Sequence, residues 1–260
     1  VNRLPALFLS HGSPLHALGG SEVATAWARM AADLPRPRAV LMISAHWATA
    51  LPMVTGGERL STIHDFGGFP RELYALRYDA PGDPALAREV VALLKAAGHT
   101  AGIDGCRGID HGAWVPLRWM YPAVDVPVVQ LSVQPDRGIA HHRRLGAALR
   151  RLADDGVLVI GSGHVTHNLR DWFSARDGAA PLPYVAAFAG WLDAKLAAHD
   201  TAAIDDYRTR APEAARAHPT EEHFDPLPVA WAAAGDLPAA LRFYNGCEGN
   251  ALVLDAYRFD

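Results

Sequence analysis

Four short, nearly unbroken apolar runs limit this fold most: Leu4–Leu9, Ala39–Ser44, Val126–Val133 and Val157–Ile160. Each is too short for an amphipathic helix and lacks the polar alternation of a half-solvated strand, so each reads as a strand buried on both faces, as in a parallel sheet. Helical patterns lie between them at Glu22–Leu34, Pro84–Ala97, Ala140–Ala153 and Tyr184–Ala198, with Ser21, Asp83 and Pro183 as start signals and Gly98 and Gly156 as stops. This alternation predicts an α/β fold: a central, mostly parallel sheet flanked by helices. The stretch LRFYNGCEGNALVLDAYRF near the C-terminus has alternating runs around Asn245-Gly246 and Gly249-Asn250, which predicts an antiparallel hairpin at the sheet edge.

Half of the 260 residues are hydrophobic and 20% are charged, enough apolar material for a substantial core. No repeat, low-complexity tract or flexible linker divides the chain, so residues 1–260 read as a single domain. No apolar run reaches the roughly 18 residues of a membrane span, and no signal-peptide pattern opens the chain, so a cytoplasmic protein is expected. A net charge of -4 without a basic block argues against a nucleic-acid partner. Cys106 and Cys247 are too few for a disulfide framework or a Cys-rich metal site. Histidine, with 13 copies, is the informative excess.

Several histidines fall where chemistry is expected in an α/β sheet. His11 and His46 each follow a predicted strand by two residues, and Val157–Ile160 leads through Gly-Ser-Gly to His164 and His167. Ligands of open α/β sheets bind outside the carboxyl ends of the strands, so these three loops should meet in one crevice. Imidazole is a common ligand for zinc and iron, and a catalytic metal typically takes three protein ligands, leaving positions open. His11 and His46 supply two. The third is sought in HPTEEHFDPLPVAWAAAG, where His218 and His223 would point about 140° apart on a continuous helix. With Thr220 as an N-cap, His223 enters the first helical turn, where the dipole favours the neutral imidazole that a metal requires. Glu221 or Glu222 is the alternative, giving a two-His, one-carboxylate set. His167 is the first candidate for general acid/base and His111, with Asp110 beside it to orient the ring, the second. His16, His99, His141, His142 and His199 carry no assigned chemistry.

The segments LFLSHGSP, VLMISAHW, TIHDFGGFPRELYALRYDAPG, DHGAWVPL, VVQLSV, GSGHVTHNL and HPTEEHFDPL, in this order from Leu4 to the C-terminus, resemble the class III extradiol ring-cleavage dioxygenases, in the 4,5-DOPA dioxygenase-like branch. The resemblance implies an enzyme that opens a catechol beside its hydroxyls with O₂ at a non-haem metal. It implies His11, His46 and His223 as metal ligands and His167 as the acid/base, close enough to serve as an additional ligand. It makes His111 a pocket residue and the loop with Asp65, Phe66 and Phe69 a wall. His164 has no counterpart that the resemblance requires.

Ring opening calls for Fe(II), since zinc has no accessible redox change, although Zn(II) can occupy such a site. The rival reading is a zinc hydrolase using the same histidines and a metal-bound water. A serine nucleophile at Ser13 lacks the G-x-S-x-G elbow. For a substrate such as DOPA, Arg71, Arg77, Arg107 and Arg118 are the candidate partners of its carboxylate.

Overall fold

An eight-stranded sheet runs through the computed structural model, which describes residues 3–174 and 180–260. Its strands are β1 (Ala6–Ser10), β2 (Ala39–Ala48), β3 (Met53–Thr55), β4 (Gly102–Asp104), β5 (Val128–Val133), β6 (Val157–Gly163), β7 (Ala240–Tyr244) and β8 (Ala256–Phe259). Their spatial order is β4-β3-β5-β2-β6-β1-β8-β7. The four apolar runs of the sequence form the parallel centre, β5-β2-β6-β1, with registers such as Val40↔Val128, Ala39↔Val157 and Ala6↔Val159. β1, β5 and β6 are buried along their whole length, which explains why they carry no polar alternation. At the C-terminal edge β8 pairs antiparallel with β1 and β7 with β8. The tip of this expected hairpin folds into its own two-stranded ladder, Cys247–Glu248 against Leu252–Val253.

Helices α1 (Glu22–Asp33) and α3 (His111–Met120) cover one face; α2 (Pro84–Ala96), α4 (Ile139–Ala148), α5 (Pro183–Ala197) and α6 (Pro226–Ala234) cover the other. Ser21 and Asp83 cap as expected, accepting from the backbone N–H of Ala24 and Leu86. Gly98 and Gly156 end their helices at φ of 85° and 75°, values that only glycine adopts cheaply. Pro183 is the first residue of its helix, after Leu182. The expected helix Ala140–Ala153 is broken instead into α4 and a short turn at Arg151–Asp154. α4 crosses α6 so closely that a Cβ on Gly146 would lie 2.1 Å from the Val229 carbonyl oxygen, and the last turn tightens through Leu149 N–H to Gly146 O. Among the described residues no helix is long and apolar enough to cross a membrane.

Two histidines serve this core alone. His142 donates from Nδ1 to Gly138 O and accepts from Gln134 N–H, and burial pushes it down to about 3. His218 donates to Val165 O, and burial pushes it down to about 4. Both are neutral in the folded chain at pH 7. As pH falls below about 6.5 the unfolded chain takes up protons that the native state refuses, so stability falls from that point towards the folded values. Each group is expected to cost on the order of 3 kcal/mol between pH 7 and 4. Urea midpoints across this range check it, and His142→Gln should flatten the acid slope.

Candidate metal centre

Three strand ends and one crossing loop build the site. His11 follows β1 directly, and the Gly12 φ of 65° turns the chain away behind it. His46 lies inside β2 rather than beyond it: β2 runs past the expected end at Ser44, with a register shift between Ile43 and Ala48 that re-aims the strand. Thr49 Oγ1, 2.6 Å from Ser132 Oγ, ties this extension to β5. His223 arrives on the segment that crosses the end of β6, where its carbonyl accepts from His164 N–H at 2.8 Å. A Cβ on Gly163 would lie 2.1 Å from that carbonyl, so the Gly-Ser-Gly motif is what admits His223. Thr220 does not cap a helix. Its hydroxyl donates to Glu222, and α6 starts only at Pro226, because proline fits the first helical position. His223 therefore stands before the helix, and burial rather than a first-turn dipole keeps it neutral.

His46 Nε2 lies 3.0 Å from His11 Nε2 and 3.3 Å from His223 Nε2. Hydrogen bonds at the opposite nitrogens set the tautomers of His11 and His223, and the Asp65 carboxylate near Nδ1 biases that of His46. His11 Nδ1 is 3.0 Å from Ser162 Oγ, whose own proton goes to Gly112 O, so the imidazole must donate. His223 Nδ1 donates to Glu222 Oε1 at 3.0 Å, and His46 Nδ1 faces Asp65 Oδ2 at 3.3 Å. Each Nε2 is thus a bare lone pair aimed at the other two. Burial, then the neighbouring histidines, holds His11 and His223 far below the usual imidazole range and His46 at about 4, so protons do not relieve the convergence. Two nitrogens each about 2.0–2.1 Å from one ion stand about 2.8–3.4 Å apart at angles near 90–110°. The donor set fits a divalent cation.

Around it, His111 and His167 line the same cavity of about 370 Å³, with Phe66, Phe69, Trp172 and Phe173 on its walls. His167 stacks on His223 with ring centroids 3.4 Å apart, and burial holds it at about 3. Asn168 ties this loop down by donating to Arg216 O. His111 Nδ1 donates to Asp65 Oδ2 at 2.9 Å, so its orienting partner is Asp65 and not Asp110. Asp110 is turned into the core, where Ser44, Arg107 and Gln130 donate to it. Burial, the largest single effect, raises the Asp65 carboxyl, but the His111 hydrogen bonds together with the charges of His111 and His46 outweigh it and leave Asp65 at about 2. His164 is buried and accepts from Gly12 N–H at 3.1 Å, bracing the turn behind His11. Glu222 orients His223, while Glu221 faces Tyr207 and Arg208. Ser13 Oγ caps a short 3₁₀ turn. Among the arginines, Arg107 is bound to Asp110 and His46 O and stacks on Trp47, and Arg71, Arg77 and Arg118 do not line the cavity.

The family described as the catalytic LigB subunit of aromatic ring-opening dioxygenase matches residues 5–253. The chain belongs to this family. Proteins named 4,5-DOPA dioxygenase extradiol share its sequence: that of Beta vulgaris is 43% identical, covering 97% of this chain and 95% of the relative. That of Escherichia coli K12 is 42% identical, covering 75% and 71%. The crystal structure of an uncharacterised Escherichia coli K12 protein superposes with a TM-score of 0.82 at 32% identity, covering 99% of this chain and 100% of that one. Membership makes the chain an extradiol dioxygenase with a metal site, and the hydrolase alternative gives way. What sequence reasoning missed in this LigB-family site is the layer behind the ligands: Ser162, Glu222 and Asp65. Asp65 left a trace in its HDFGGFP loop and Glu222 was read as an alternative ligand, but neither was given its orienting role.

Proposed function

We propose that residues 1–260 form one catalytic domain that opens a 4-substituted catechol, DOPA or a close analogue, with O₂ at Fe(II) held by His11, His46 and His223. The observation that carries this reading is the convergence of three bare Nε2 lone pairs at the floor of an aromatic-walled cavity. The names of the relatives support DOPA as the catechol and 4,5-cleavage as the regiochemistry. When bound, the metal would gather both catechol oxygens and O₂ and carry electron density between them. The rest falls to the chain. Phe66, Phe69, Trp172 and Phe173 line the cavity and give a flat ring apolar surfaces to lie against. His111, held by Asp65 at Nδ1, lines the cavity and is placed to accept a hydroxyl proton, and His167, kept neutral by burial, takes and returns a proton in the later steps. The two free cysteines, Cys106 and Cys247, suit a reducing compartment and support a cytoplasmic location.

Reconstitution under anaerobic conditions with Fe(II), then exposure to air and DOPA or caffeate, is expected to give a yellow ring-opened semialdehyde with one O₂ consumed per catechol. Monophenols and dimethoxy analogues should be inert, and so should the zinc-loaded protein. An Fe(II) form inert towards every catechol, beside a zinc form that hydrolyses esters or amides, would overturn the proposal.

A further inference from the structure

We propose that Asp65 is a positioning residue that fixes two imidazoles at once, His46 on the metal side and His111 on the substrate side. Asp65 Oδ2 lies 3.3 Å from His46 Nδ1 and 2.9 Å from His111 Nδ1, while Oδ1 accepts from His111 N–H at 2.9 Å. The two rings sit with centroids 4.0 Å apart. Among the described residues no lysine or arginine pairs with this carboxylate; His111 donates to it from Nδ1 and from its backbone N–H, and His46 Nδ1 stands within ion-pair distance.

The loop that carries Asp65 is held in register with the His111 segment. Ile63 N–H donates to Ile109 O at 2.8 Å, and Trp114 Nε1 donates to Ile63 O at 2.9 Å. Asp65 is therefore set by backbone pairing, not by chance packing. An ionised carboxylate only accepts, so His111 presents Nδ1–H to it and the nearby carboxylate biases His46 the same way; in a neutral ring this leaves Nε2 bare. In His46 that nitrogen faces His11 and His223; His111 lines the cavity. One carboxylate thus makes His46 a competent ligand and His111 a competent acceptor. The His46 half of this inference rests on the metal reading above, whereas the His111 half does not.

Asp65→Asn tests it, because the isosteric amide presents an N–H where the carboxylate presented a lone pair and drives both rings towards the Nε2–H tautomer. Zn(II) affinity, read by competition with a chelating dye, is expected to fall about 10–100-fold. The ¹⁵N shifts of His111 in the metal-free protein should move from the Nδ1–H to the Nε2–H pattern. Asp65→Ala, which removes the acceptor without adding a donor, should weaken zinc less than Asp65→Asn does. With Fe(II) at saturation, Asp65→Asn should lower kcat about 10²–10⁴-fold with little change in KM, and should not lower it further once His111→Phe is present. His111 remaining Nδ1–H in Asp65→Asn, or equal zinc loss in the Asn and Ala variants, would overturn the inference. Zinc affinity and ¹⁵N shifts need no turnover, so failure of the catechol reading would show separately, as an inert wild-type Fe(II) form with these two readouts intact.

Discussion

His223→Ala is expected to strip the metal and abolish measurable ring opening. His223 supplies one of three Nε2 atoms and is the partner farther from His46, at 3.3 Å. Structural zinc sites gather about 10–16 kcal/mol over four ligands, or about 3 kcal/mol each, so one lost imidazole lowers metal affinity by roughly two orders of magnitude or more. The fold should survive. The His223 carbonyl, which takes the His164 N–H, belongs to the backbone and is untouched by the change. Metal content per chain and zinc affinity by dye competition, measured beside oxygen uptake, give the answer. Retained metal, or anomalous density showing Glu222 as a ligand in the wild type, would break the three-histidine assignment.

His167→Ala is expected to keep the metal and lose about 10²–10⁴-fold in turnover, the usual worth of general acid/base help. Its ring lies against His223 face to face, and the His167, Glu222 and His223 ligand atoms lie within 4.8 Å of one another. His167 therefore stands beside a proposed ligand, and metal content separates the two roles. A variant that loses metal along with activity makes His167 a fourth ligand. Near-normal turnover removes it from the chemistry. His111, which also lines the cavity, is held by Asp65, whereas no side-chain hydrogen bond fixes His167 among the described residues, which leaves that ring freer to exchange a proton with substrate.

Much of this fold was legible in the chain because its signals are local. The central strands announce themselves as apolar runs since both of their faces are covered. Ser21, Asp83, Gly98 and Gly156 mark helix ends through bonds to their own neighbours or through their own φ. The position of His11 and His46 near strand ends, with the rule that such ends share a rim, was enough to bring these two together. His223 was reached by chemical elimination and by resemblance. The reason offered for its neutrality, a helical first turn, was not what the structure holds.

The sequence by itself determined the strand and helix alternation, the rim on which the histidines gather and the type of ligand they offer. Tertiary structure alone decided which nitrogen of each ring faces the others. That choice depends on Ser162, Glu222 and Asp65, and Ser162 reaches its histidine across the fold, 151 residues from His11. It also decided that Asp110, adjacent to His111 in sequence, would turn into the core while Asp65 took its place. The physical reason is the change of backbone at the start of α3: Asp110 is extended at the position before the helix and accepts from Ser44 and Gln130 on the sheet, so its side chain diverges from that of the next residue. Neighbours in sequence point apart in extended backbone, and a hydrogen-bond partner is chosen by direction as well as distance.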